Sequence, residues 1–257
     1  MTAKIFSIIS IKGGVGKTTT ALNIGASIAQ HLKKRVLLLD ANFSAPNLGL
    51  HLGIIKPEKT IHDVILKKEK IEEVIYGSEH GFHIILGDIN YIQTRKNPPN
   101  WTLLEYHIKK LKPYYDYIII DSSPSANTEF LAAINSADEL LVVTTPDPPT
   151  LSCTLNVINR VKKTKRPIRG LIINKATNKK YEIDKETINQ LTKMPVLAII
   201  KHDLDFIKSI HESTPLVIMK PMHHASTTYK NLIETITETE VEKNILDKIR
   251  NLFVVRN

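Results

Sequence analysis

The chain has 257 residues, 42% of them apolar and 24% charged, the usage of an ordinary globular protein of one large or two small domains. Collagen-like and disordered classes are excluded, and the single cysteine, Cys153, rules out a disulfide framework, a cysteine-caged zinc site and an iron–sulfur cluster held within one chain. Thirty-five Lys and Arg against 26 Asp and Glu leave a net charge of +9. No apolar run approaches the ~18 residues of a membrane span, and the N-terminus has no cleavable signal pattern, so a soluble cytoplasmic chain is expected, with peripheral attachment to the inner face of the membrane left open.

Short apolar strands alternate with helix-spaced segments. Residues 5–11 read as a strand, Thr18 to Leu32 as a helix, and 35–40 as a second buried strand. The stretch from Gly77 to Pro99 is less regular, with a turn at 97–100. Trp101 to Leu111 predicts a helix, 117–121 a strand, Thr128 to Asn135 a helix and 139–144 a strand. Leu151 to Val161 predicts a helix that places Cys153 in the core, and 170–174 and 196–200 predict two more strands. Uniformly apolar strands with helical crossovers imply an α/β fold, a mostly parallel twisted sheet with helices on both faces in three layers. Polar residues gather just after the strands, at Lys12, Asp40, Asp121, Thr144 and Asn174, where open α/β sheets bind ligands.

The strongest local signal is Lys12-Gly13-Gly14-Val15-Gly16-Lys17-Thr18-Thr19, between the first strand and the first helix. Glycines let backbone amides turn inward around phosphate oxygens, and the helix start adds partial positive charge. In such a loop Lys17 reaches the β- and γ-phosphates and Thr18 ligates Mg²⁺. Ile11 stands where the standard pattern begins with glycine. An extra lysine instead sits at position 12.

This loop resembles the deviant Walker A of the MinD/ParA family of P-loop ATPases, and the resemblance covers roughly residues 3–236. In that family the extra lysine, matched by Lys12, reaches across a nucleotide-sandwich dimer. The run from Asp40 to Leu50 looks like switch I. Tyr117 to Pro124 looks like Walker B with switch II, giving Asp121 a role at Mg²⁺ through water, although alone it reads equally as a helix N-cap. Asn174 matches an adenine-contacting position, its alternative being a strand-end turn residue, and His202-Asp203 matches the segment beside the base, with Lys201 replacing a common proline. The family's Asp-x-Asp appears here as Asp40-x-Asn42. An asparagine can position water but cannot take its proton, so slow hydrolysis is expected, with Asp40 supplying part of the missing function.

Beyond Glu240, Ile245, Leu246, Ile249, Leu252 and Phe253 fall on one helical stripe with Lys243, Lys248, Arg250 and Arg256 off it. Residues 1–240 thus form one P-loop domain, and 241–257 an amphipathic helix that is either a membrane anchor or a packed final helix. Residues 160–180 hold nine basic side chains and no acid, either a solvated face or a surface for nonspecific DNA. His223-His224 read as loop residues, with no carboxylate or cysteine to complete a metal site. The resemblance implies a MinD-like ATPase using ATP and Mg²⁺. It would form a homodimer on ATP binding and attach reversibly to an anionic membrane surface. There it would position a division, motility or similar assembly through a protein activator or cargo. The alternatives are a ParA-like DNA-segregation ATPase and an ATP-binding scaffold with little hydrolysis.

Overall fold

The computed structural model describes residues 2–91 and 99–241. In chain order it contains β1 (Lys4–Ile9), α1 (Lys17–Leu32), β2 (Val36–Ala41), α2 (Ile61–Ile65), β3 (Ile75–Gly77), β4 (His83–Ile85), α3 (Leu103–Leu111), β5 (Tyr117–Ser122), α4 (Thr128–Ser136) and β6 (Glu139–Thr144). There follow α5 (Pro148–Val161), β7 (Ile168–Ala176), α6 (Lys185–Thr192), β8 (Val196–Lys201), α7 (Asp205–His211), α8 (Leu216–Met219) and α9 (His224–Thr237). Single turns of 3₁₀-helix lie at Leu50–Leu52 and Ile71–Val74.

The strands form one sheet in the order β3-β4-β2-β5-β1-β6-β7-β8, parallel except for the antiparallel pair β3–β4. Alternation along each strand divides the core in two. Leu37 and Leu39, Ile118 and Ile120, and Leu140 and Val142 face the layer built with α2–α6. Leu38, Ile119, Leu141 and Val143 face α1, α8 and α9. Strands buried on both faces need no polar alternation, which is why they read as continuous apolar runs. Helix α1 lies close against β2 because Gly25 has no side chain: a Cβ there would stand 2.7 Å from a Leu38 methyl. That approach fixes the helix whose N-terminus builds the site.

Several boundaries differ from the sequence reading. Helix α5 begins at Pro148, where Asp147 caps it by accepting the Thr150 amide at 3.0 Å, and proline is tolerated in a first turn. Half-buried Cys153 lies at the edge of the core rather than inside it. Strand β4 runs through the stretch expected to be irregular. Of the turn expected at 97–100, residues 97 and 98 lie outside the described residues, as does the tail from 242. Val241 itself is buried against the α1/α9 layer, and its amide donates to Glu234 at 3.0 Å. Among the described residues no helix is long and apolar enough to cross a membrane.

The basic run is split by the fold. Lys162, Lys163 and Lys165 precede β7, whereas Lys179 and Lys180 follow it, and the nine residues of β7 separate the groups by ~30 Å. Arg166 pairs with Glu105 at 3.1 Å, Arg169 with Glu238 at 2.7 Å, and Lys175 donates to the Gly14 carbonyl at 2.7 Å.

Candidate nucleotide site

The loop from Ser10 to Gly16 crosses the carboxyl end of β1 at the middle of the sheet. Gly14 and Gly16 have φ of 76° and 95°, backbone that disfavours any side chain. At Gly16 a Cβ would also meet Asn174 Nδ2 at 2.2 Å. Lys17, the first residue of α1, is buried, with Nζ 3.5 Å from the Lys12 carbonyl. Burial lowers its pKa, and the charge of Asp121 acts in the opposite sense. Lys12 is exposed, next in sequence to Gly13 and Gly14, which line the cleft. Val15 turns its side chain into the core and contributes only backbone. Thr19 lines the cleft with its Thr18 neighbour.

Two buried carboxylates face this loop from adjacent strands, paired in register as Asp40 and Asp121. Thr18 Oγ1 lies 2.5 Å from Asp121 Oδ2 and 2.9 Å from Asn47 Oδ1. Asp121 Oδ1 is buried with no hydrogen-bond partner. Burial and, next, the charge of Asp40 push Asp121 up to about 7. An orphaned carboxylate oxygen beside a threonine hydroxyl and an ammonium is a donor set that would suit a hard cation, which Thr18 and Asp121 would hold.

Asp40 is spent differently. Its oxygens accept the amides of Asn42, Asn47 and Leu48 at 2.9–3.0 Å, so it organises the following loop rather than offering a free base. Burial still raises it to about 6 despite those three bonds. Asn42, 7% exposed, bonds through Nδ2 to the Ala45 carbonyl. Sequence reasoning missed Glu129, a buried carboxylate on α4 that accepts the Ser44 amide at 3.2 Å and the Ser44 hydroxyl. It ties the loop after β2 to the helix after β5. Only the alternation of apolar positions in α4 hinted at it, since Glu129 falls on the buried face.

At the other end of a cleft of about 340 Å³ lie Asn174, Lys201, His202 and Asp203. Asn174 Nδ2 donates to the Val15 carbonyl at 2.7 Å, so one of its protons holds the phosphate loop, while its remaining amide groups face the cleft. Lys175, with φ of 57°, reaches the next carbonyl back, Gly14. Asp203 lines the cleft and is also engaged by protein groups: Oδ1 accepts the Asp205 amide at 2.8 Å, and Oδ2 lies 3.1 Å from His223 Nε2 and 3.9 Å from His224 Nε2. His223 lies outside the helix as expected, but His224 belongs to α9, and a carboxylate stands beside both, where the sequence reading had none to complete a metal site. His223 caps α9 and His224 opens it, and the β8–α7 turn brings Asp203 beside both.

A strand–loop–helix that turns amides inward, a buried lysine, a hydroxyl–carboxylate pair and an elongated cleft define a P-loop ATPase site for ATP with Mg²⁺. Residues 3–183 match the family model described as AAA domain. An uncharacterised ATP-binding protein of Methanocaldococcus jannaschii is 33% identical over 84% of this chain and 80% of its own. The septum site-determining protein MinD of Synechocystis sp. is 28% identical over 93% of this chain and 91% of its own. The structure of MinD complexed with Mg-ADP from Pyrococcus horikoshii is 30% identical with a TM-score of 0.84, covering 91% of this chain and 96% of that one. The chain belongs to the AAA-domain family and, within it, to the MinD/ParA group of ATPases.

Proposed function

We propose that the protein is a slow, MinD-like switch that closes into a homodimer on Mg·ATP and docks on an anionic membrane surface. The observation that carries the dimer is the division of labour between two lysines of one loop. Lys17 is buried against the site, whereas Lys12 is exposed and so accessible to a second subunit's nucleotide. A second cation is useful where a triphosphate is enclosed and its transition-state charge must be balanced. Slow turnover is supported by Asn42, whose amide is committed to Ala45 and which cannot accept a proton from water. Membrane docking is supported by the apolar stripe and basic residues of 242–257; two weak anchors on one dimer bind by avidity.

The ParA-like alternative, docking on DNA, gains less support, because the basic run is divided between two ends of β7 and four of its members, Arg160, Arg166, Arg169 and Lys175, are internally bonded. Sedimentation velocity with ATP, ADP and no nucleotide tests the dimer, and Lys12→Ala should abolish the ATP-dependent species. Co-sedimentation with anionic vesicles tests docking. The matched truncation should end at Val241 rather than Glu240, because Val241 belongs to the core. ATP-dependent pelleting that survives this truncation would sink the anchor, and salt-sensitive DNA binding in its place would favour the ParA-like reading.

A further inference from the structure

Two imidazoles and two carboxylates converge at the start of α9, outside the phosphate end of the site. The nearest ligand atoms of Asp203, His223 and His224 all lie within 4.8 Å of one another. Asp203 Oδ2 stands 3.1 Å from His223 Nε2 and 3.9 Å from His224 Nε2, and Asp205 Oδ2 stands 3.5 Å from His223 Nε2. Around a tetrahedral zinc with ligand bonds near 2.0–2.2 Å, donor atoms sit about 3.4 Å apart. The observed separations bracket that value. The rings of His223 and His224 lie 4.1 Å apart between centroids, tilted by 41°, so small rotations suffice to converge their Nε2 atoms.

We propose that Asp203, His223 and His224 form a site for a borderline transition-metal ion of the Zn²⁺, Co²⁺ or Ni²⁺ type. Two imidazoles with one carboxylate select such ions over Mg²⁺, which takes oxygen ligands. His224 has its side chain 45% exposed, leaving an entry path and a fourth position for water. Asp205 is drawn aside by Lys220, whose Nζ lies 2.5 Å from Asp205 Oδ2, so it supports the site from its edge.

The proton bookkeeping is defined. Without metal, His223 Nδ1 accepts the Ala225 amide at 3.2 Å, which leaves the ring proton on Nε2, facing Asp203. A metal at Nε2 moves that proton to Nδ1, so the α9 cap bond is given up in exchange for a ligand bond. The ion thereby joins the turn after β8, which lines the nucleotide cleft, to the first turn of α9.

The test is titration of the nucleotide-free, untagged full chain with Zn²⁺ and Co²⁺ by calorimetry and visible absorption, with Mg²⁺ in excess. One equivalent should bind, Co²⁺ should acquire the absorption of a coordinated ion, and Zn²⁺ should raise the melting temperature. His224→Ala, which removes a half-exposed ring, and Asp203→Asn should each weaken binding at least about tenfold. The melting temperature of His224→Ala without metal should stay unchanged. Absence of one-equivalent binding, binding unchanged in His224→Ala, or full displacement by Mg²⁺ would each overturn the site. Because no nucleotide is present, failure here leaves the ATPase reading untouched.

Discussion

At position 42 the side-chain amide donates to the Ala45 carbonyl, a bond that a carboxylate cannot make. The loop after β2 is therefore held closed by the same substitution that removes a proton acceptor. Replacing Asn42 with Asp exchanges one property for the other. Phosphate release at saturating Mg·ATP should rise at least about tenfold, as expected when a positioned acid–base group is restored. The lost bond should destabilise the nucleotide-free protein by about 1 kcal/mol. An unchanged rate would show that Asn42 does not set turnover. The buried pair beneath this loop predicts a pH dependence. Asp40 and Asp121 are raised to about 6 and about 7, mainly by burial. A carboxyl whose folded pKa lies above its unfolded value stabilises the fold when protonated. That contribution is complete below the unfolded value near 3.9 and is lost as pH rises through the folded values. The nucleotide-free melting temperature should thus fall between about pH 4 and 7, and Asp121→Asn should flatten the slope. Mg·ADP should flatten it as well, since a cation beside Asp121 favours its charged form. A slope identical in wild type and Asp121→Asn would refute this account.

Strand β7 ends with a register shift against β8 between Ile173 and Ala176, and Lys175 supplies it with a φ of 57°. The shift sends two consecutive side chains to consecutive carbonyls of the phosphate loop, Asn174 to Val15 and Lys175 to Gly14. Fixing those carbonyls outward helps hold the neighbouring amides inward, toward phosphate. Lys175→Gly separates strain from function. Glycine relieves the left-handed backbone, a gain of up to ~1 kcal/mol in stability, while the bond to Gly14 disappears. Calorimetry with Mg·ADP should show affinity falling about threefold to tenfold, the loss of roughly one hydrogen bond, with the melting temperature held or raised. Unchanged affinity would mean that the clamp is ornamental. The central strands were legible because burial on both faces leaves unbroken apolar runs. Short β3 and α8, and the polar α6, carry too few core positions to show a period. Lys12, Lys17 and Thr18 were legible because their spacing is local, and Asp121, 103 residues from Thr18, because it ends a buried apolar strand whose run resembles Walker B. Glu129 on Ser44 and Asp203 on His223 were not, because they depend on contacts across 85 and 20 residues that only the tertiary fold brings together.

Across the molecule, α9 connects the two ends of the sheet. It begins at the base end of the nucleotide cleft, beside Asp203, and its 14 residues run ~21 Å toward the opposite end. There the Thr235 carbonyl accepts from Arg169, beside the start of β7, and the chain continues to buried Val241. Val241 therefore sits at the end of α9 away from the phosphate loop. On the proposed reading, ATP controls membrane docking by pairing two tails, not by releasing each one. A version fused at its N-terminus to a parallel dimeric coiled coil, through a linker long enough to leave both cores free, makes the pairing independent of ATP. This fusion should bind anionic vesicles without nucleotide at least about tenfold more tightly than the monomer, in line with ordinary avidity gains. Adding ATP should change that affinity little, and ending the chain at Val241 should abolish it. Binding that still requires ATP in the fused dimer would mean that the nucleotide state reaches the tail through α9 itself. The link would then be the stiff helix between Asp203 and Val241, and substitutions along its buried face at Tyr229 and Ile233 would uncouple it.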